Sequence, residues 1–154
     1  MPPCSYSNNR EMKSKIYQFN PVIYPFKLLV SSSWDEGELK DRFYVVEDRY
    51  TVTEASDDFK MSPTTAARST LVVDKKTDYM YGMVLLDKAR MQIGTGVIAH
   101  ETIHTITNLT HMLGFDKSIV DNDEPHAYFA GWIAECIESV RDGKPLDMDG
   151  ERFV

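Results

Sequence analysis

Residues 97–113 contain neither proline nor glycine, and Gly114 follows directly. That stretch predicts one helix of about five turns with the glycine as its C-terminal stop. The segment leading into it, 94–99, is small and apolar, so one face of the helix is expected to lie buried against a sheet. The sheet has to come from upstream. Residues 70–73 and 79–86 are rich in β-branched and aromatic side chains and flank the polar turn 74–78, which predicts an antiparallel hairpin. Runs at 16–19, 24–30, 44–46 and 50–53 add short strands. Ser31, Ser32 and Ser33 offer N-caps for a short helix over 34–43, with Trp34, Leu39 and Phe43 on one face. Residues 54–69 are polar, carry Pro63 and read as a loop. After a connector at 115–121, Asp121, Asn122 and Asp123 offer caps for a second helix ending near Val140, with Pro125 tolerated in its first turn.

The expected fold is α+β: a small, mostly antiparallel sheet packed on the long helix, with a second, C-terminal helix beside it. The expected organisation is a flexible leader (1–14), one domain (15–140) and a polar C-terminal tail (141–154).

Positions 100–104 read His-Glu-Thr-Ile-His. On a helix this spacing sets two imidazoles one turn apart on a single face. Neutral imidazole nitrogen is a good zinc donor, and a helix fixes the pair without loop entropy. Glu101 lies roughly a quarter-turn from His100, so it need not ligate and is free to take the proton of an attacking water. The competing reading is a surface helix that carries the pattern by chance. If the helix is buried, its two histidines need partners, which favours a metal. His111 nearly shares their face but lies about 10 Å beyond His104 along a continuous helix, too far for bonds of about 2 Å to one ion.

The run 98–104, Ile-Ala-His-Glu-Thr-Ile-His, resembles the active-site helix of zincin metallopeptidases. Residues 123–128, Asp-Glu-Pro-His-Ala-Tyr, resemble the acidic start of the second helix in gluzincin-type members. The combination looks most like small zincin-like proteins encoded by bacteriophages and their bacterial hosts, and more distantly like the ImmA/IrrE-type metallopeptidases. The likeness covers about 79–140, and Pro125 and His126 depart from the peptidase pattern. It implies Zn2+ held by His100, His104 and Glu124, a protein or peptide substrate, and hydrolysis with Glu101 as the base. It also implies an edge strand beside the active-site helix, here 79–86, that pairs extended substrates. Glu124 equally suits the positive end of a helix dipole. Tyr128, one turn further on, reads either as an oxyanion donor or as an ordinary half-buried tyrosine. His126 lies on another side of that helix. Ala127, Ala130, Gly131 and Ala134 form a small-residue strip suited to close helix packing, and Phe129, Ile133, Cys136, Ile137 and Val140 recur at core spacing. A rival class fits the same motif: a domain stapled by zinc that binds a protein partner without catalysis.

Composition limits the remaining classes. With 42% hydrophobic and 27% charged residues, the chain of 154 residues is expected to bury one core. A net charge of -7 has the wrong sign for a nucleic-acid binder. Cys4 and Cys136 make neither a disulfide framework nor a thiolate cluster, which suits a reducing compartment. No apolar run nears the roughly 20 residues of a membrane span, and 1–15 lacks the apolar centre of a secretory signal. The expected setting is the cytoplasm, the host cytosol for a phage-encoded chain.

Overall fold

The computed structural model describes residues 13–48, 50–89, 91–114 and 123–153. In chain order the elements are β1 (Lys15–Phe19), β2 (Lys27–Ser33), α1 (Glu36–Arg42), β3 (Phe43–Glu47), β4 (Thr51–Glu54), β5 (Ala67–Asp74), β6 (Met80–Leu86), α2 (Thr95–Leu113), α3 (Glu124–Arg141) and β7 (Glu151–Arg152). The strands form one sheet ordered β4-β3-β5-β6-β2-β1-β7. Only the β2–β6 pair is parallel, so the fold is α+β with a mostly antiparallel sheet.

The central strands are buried on both faces, which is why they read as continuous apolar runs. β2 sends Leu28 and Val30 to one side and Leu29 to the other, and β6 divides Val84 and Leu86 from Met83 and Leu85 in the same way. On the first side the sheet meets Ile98 and Leu109 of α2 and Ile133, Cys136, Ile137 and Val140 of α3. On the second it meets Leu39 of α1 together with Phe59 and Met61. Full burial of each large apolar side chain contributes roughly 2 kcal/mol. Gly114 ends α2 in the left-handed region at φ 70°, with its N–H on the His111 and Thr110 carbonyls.

Several expectations are corrected. β2 begins at Lys27 and runs through Ser33, so the three serines are strand and not cap. Ser31 tolerates the strand because its hydroxyl donates to the Lys15 carbonyl of the neighbouring β1 at 2.6 Å. The α1 cap is Asp35, which accepts the Glu38 N–H at 3.0 Å. β5 starts at Ala67, inside the stretch read as loop. β6 is not an edge: β5 and β2 occupy both its sides, so it has no free edge to offer a substrate. In the polar tail, a 3-10 turn over Pro145–Met148 leads to β7, which pairs with β1. Phe153 then stacks on Phe43 at 5.8 Å and lies under the Arg42 guanidinium at 5.1 Å. Gly150 permits that return, since a Cβ there would sit 2.6 Å from the Phe19 ring and the Pro145 carbonyl. The polar tail thus contributes the last strand of the sheet.

Lys13 and Ser14 are tied to α1. Ser14 is buried, and the Glu38 carboxylate accepts the backbone N–H groups of Lys13 at 2.7 Å and Ser14 at 2.8 Å. Most of the leader (1–12), the connector 115–121 and the cap candidates Asp121 and Asn122 lie outside the described residues. Among those described, no helix is long and apolar enough to cross a membrane.

Arg42 grips Asp74 through two hydrogen bonds of 2.8 Å, and Asp74 is 1% exposed. Burial alone would raise that carboxyl, but the Arg42 guanidinium and the Lys76 N–H hold it below the usual aspartate value. A depressed folded pKa means that the stabilisation is complete at neutral pH and is lost as pH falls through the folded value. Asp74→Asn is expected to cost roughly 3 kcal/mol in urea unfolding at neutral pH. The gap from wild type should shrink below about pH 3.9, the ordinary aspartate value. A gap that stayed constant down to about pH 2 would contradict the assignment.

Candidate metal centre

Helix α2 buries Ile98, Glu101, Thr102, Thr105, Leu109 and Thr110, a stripe at the spacing of one helical face. Three of these are threonines, and burial is tolerable because each hydroxyl donates to a carbonyl four residues back. The distances are 2.7 Å for Thr102 to Ile98, 2.8 Å for Thr105 to Glu101 and 2.7 Å for Thr110 to Ile106. With that stripe against the sheet, His100, Ile103 and His104 face solvent.

The two imidazoles converge. Their Nε2 atoms are 3.0 Å apart and their rings cross at 69°. Two ring nitrogens this close share either a proton or an ion. Ligands on a tetrahedral zinc with bonds of 2.0–2.1 Å stand about 3.3 Å apart, so a small opening of the pair accommodates the metal. The expectation that the histidines would be buried is reversed, because the buried members of the motif are Glu101, 4% exposed, and Thr102.

Glu101 meets β5. Its Oε2 accepts the Ser69 hydroxyl at 2.6 Å, and Thr105 stands 3.3 Å from the same hydroxyl. On the solvent side, residues 64–67 and Gly96, Val97, His100 and Glu101 enclose a cavity of about 360 Å³. A second cavity, about 330 Å³, lies further along β5 between Ser69, Thr70, Leu71, Asn108 and His111. Over Ala67–Leu71, β6 is the only strand paired with β5 among the described residues, because β3 pairs only with Val72–Asp74. The open strand beside the helix is thus half of β5, not β6.

The remaining sequence candidates lie apart. Glu124 and Tyr128 share a cavity of about 430 Å³ with Gly131 and Trp132, not the one that His100 and Glu101 line. Tyr128 is 78% exposed. Among the described residues, no group of three His, Cys, Asp or Glu side chains is poised to hold a metal, so the histidine pair is assembled and a third ligand is not. His111 lines the second cavity, away from the pair, and His126 is half-buried on α3. Half of the small-residue strip faces outward, with Ala127 and Gly131 exposed, whereas the core spacing of Ile133, Cys136, Ile137 and Val140 holds. Sequence reasoning missed Ser69. It carries no local signal and gains its meaning only when β5 is laid across α2.

Compared with known proteins, the chain matches no family model, no curated protein and no solved structure.

Cys136 offers no alternative donor. It is fully buried, and burial, with the nearby Glu135 charge, pushes its thiol up to about 12. A thiol this far above neutrality, sealed from solvent, is unreactive. Iodoacetamide followed by peptide mass spectrometry is expected to leave Cys136 unmodified in the folded protein and to label it in urea. Labelling at equal rates in both conditions would refute its burial.

Proposed function

We propose that the chain is a zinc-dependent hydrolase, a zincin-type metallopeptidase, in which His100 and His104 hold the metal and Glu101 is the general base. The observation that supports this reading is the 3.0 Å approach of two exposed Nε2 atoms on the helix face next to a buried carboxylate. A shared proton would account for the same distance, and the metal reading is favoured by the buried carboxylate beside the pair and by the spacing of the motif. Zinc bound there would supply Lewis-acid polarisation of the scissile carbonyl and activation of water.

The protein's own groups do the rest. Glu101 takes one proton from the attacking water as the new C–O bond forms. It returns that proton to the nitrogen as the C–N bond breaks, which regenerates the carboxylate. The free half of β5 gives an extended peptide a strand to pair with beside the helix. For the third ligand we assign Glu124, which opens the helix that packs on α2. Ligation requires its carboxylate to join the pair when metal binds. Tyr128 is then carried on the same turn, as a candidate oxyanion donor. A reducing, cytosolic setting suits the free Cys136.

The rival reading is a zinc-stapled interaction module without catalysis, and a metal closed off by protein ligands would favour it. Protein purified without chelator should contain close to one equivalent of zinc by elemental analysis, and His100→Ala or His104→Ala should remove most of it. Chelator competition should show Glu124→Ala weakening zinc at least about tenfold while His111→Ala leaves it nearly unchanged. Zinc-loaded wild type is expected to cleave fluorescein-labelled casein. Glu101→Gln should keep the metal and lose the cleavage, since an amide cannot carry the proton. Zinc at full occupancy with no cleavage would select the rival; full zinc in both histidine variants would end both readings.

A further inference from the structure

We propose that Ser69 is a positioning residue for Glu101: it clamps one carboxylate oxygen and so aims the other at the reacting water. This rests on the hydrolase reading above.

The donors can be counted. Ser69 and Thr105 carry one hydroxyl hydrogen each, and the shortest contacts assign them. Thr105 donates to the Glu101 carbonyl at 2.8 Å, and Ser69 donates to Glu101 Oε2 at 2.6 Å. The longer approaches of Ser69, 3.3 Å to the Glu101 carbonyl and 3.3 Å to Thr105, are left without a proton of their own. Ser69 is then the single side-chain donor to this carboxylate among the described residues, and Oε1 accepts nothing from them. Because Glu101 is 4% exposed and lines the cavity that His100 lines, the unclamped oxygen is the one available to a water there.

The clamp is rigid at both ends. Ser69 pairs across to Val84 on β6, which fixes its backbone, and Glu101 sits in the packed stripe of α2. A glutamate on a helix has three side-chain torsions to lose before it can act as a base, and a short charge-assisted hydrogen bond from a fixed strand removes that freedom in advance. Ser69 also lines the second cavity, on a stretch of β5 where β6 is the only paired strand among the described residues. A peptide paired along this edge would run past the clamp and close it off from water.

A merely structural serine would affect stability alone, so the test separates the two roles. Ser69→Ala, zinc-loaded, should keep one equivalent of metal and a KM for fluorescein-labelled casein within about twofold of wild type, while kcat falls about ten- to a hundredfold. Ser69→Thr, which keeps the hydroxyl on a residue suited to strands, should restore kcat to within about threefold. The clamp itself has a readout independent of activity. In urea unfolding, Ser69→Ala should change the folding equilibrium constant about tenfold more when Glu101 is present than in a Glu101→Ala background. An unchanged kcat in Ser69→Ala beside an active wild type would overturn the role of Ser69 and leave the hydrolase reading standing. The absence of coupling to Glu101 would overturn the clamp. A zinc-loaded wild type without activity would overturn the hydrolase reading and this role with it.

Discussion

Ile98, Thr102, Thr105 and Leu109 press α2 onto the sheet and α3, and that contact decides where every other side chain of the helix points. Residues on a helix are about 100° apart, so fixing the buried stripe leaves no choice about its neighbours. Glu101 falls at the margin of the stripe and is drawn under β5; His100 and His104 fall outside it and meet above the surface. An insertion of one residue before His100 would rotate the pair by about 100° and separate it from the cavity. The approach of the two imidazoles depends on this register.

The register is costly in polar groups, and the structure offsets each cost locally. A buried carboxylate without a partner is penalised by several kcal/mol, and the Ser69 hydroxyl supplies that partner. The three buried threonines turn their hydroxyls back onto the helix. On the far face, the Arg42–Asp74 pair and the Lys75 N–H on the Arg42 carbonyl tie the end of α1 to the β5–β6 turn. β3 pairs only with Val72–Asp74 of β5, so among the described residues Ala67–Leu71 has β6 as its one paired strand. Ser69 thus belongs both to this stretch of β5 and to the hydrogen bond that reaches Glu101 on α2.

Local signals carried much of this fold. The proline-free run closed by Gly114 is α2, the polar turn between two β-branched runs is the β5–β6 hairpin, and Pro125 does sit in the first turn of α3. The histidine pair, too, follows from spacing alone. What sequence could not show depends on partners far away in the chain. Ser31 to Ser33 look like caps until a neighbouring strand receives them, and the charged tail looks solvated until β1 pairs with it. β6 looks like an edge because nothing within it records that β2, some fifty residues earlier, returns to its other side. Ser69 sits in a polar stretch that would suit a loop equally well. Glu124 and Tyr128 matched a pattern along one helix, but their position relative to the histidines is set by the packing of α3, which no short motif encodes.

The central claim is that the converging imidazoles form a metal site. Crystals of protein purified without chelator, with diffraction data collected on both sides of the zinc absorption edge, test it most directly. The account predicts an anomalous peak about 2.0–2.1 Å from Nε2 of both His100 and His104. Crystals of zinc-supplemented protein with no peak between these two nitrogens would contradict it.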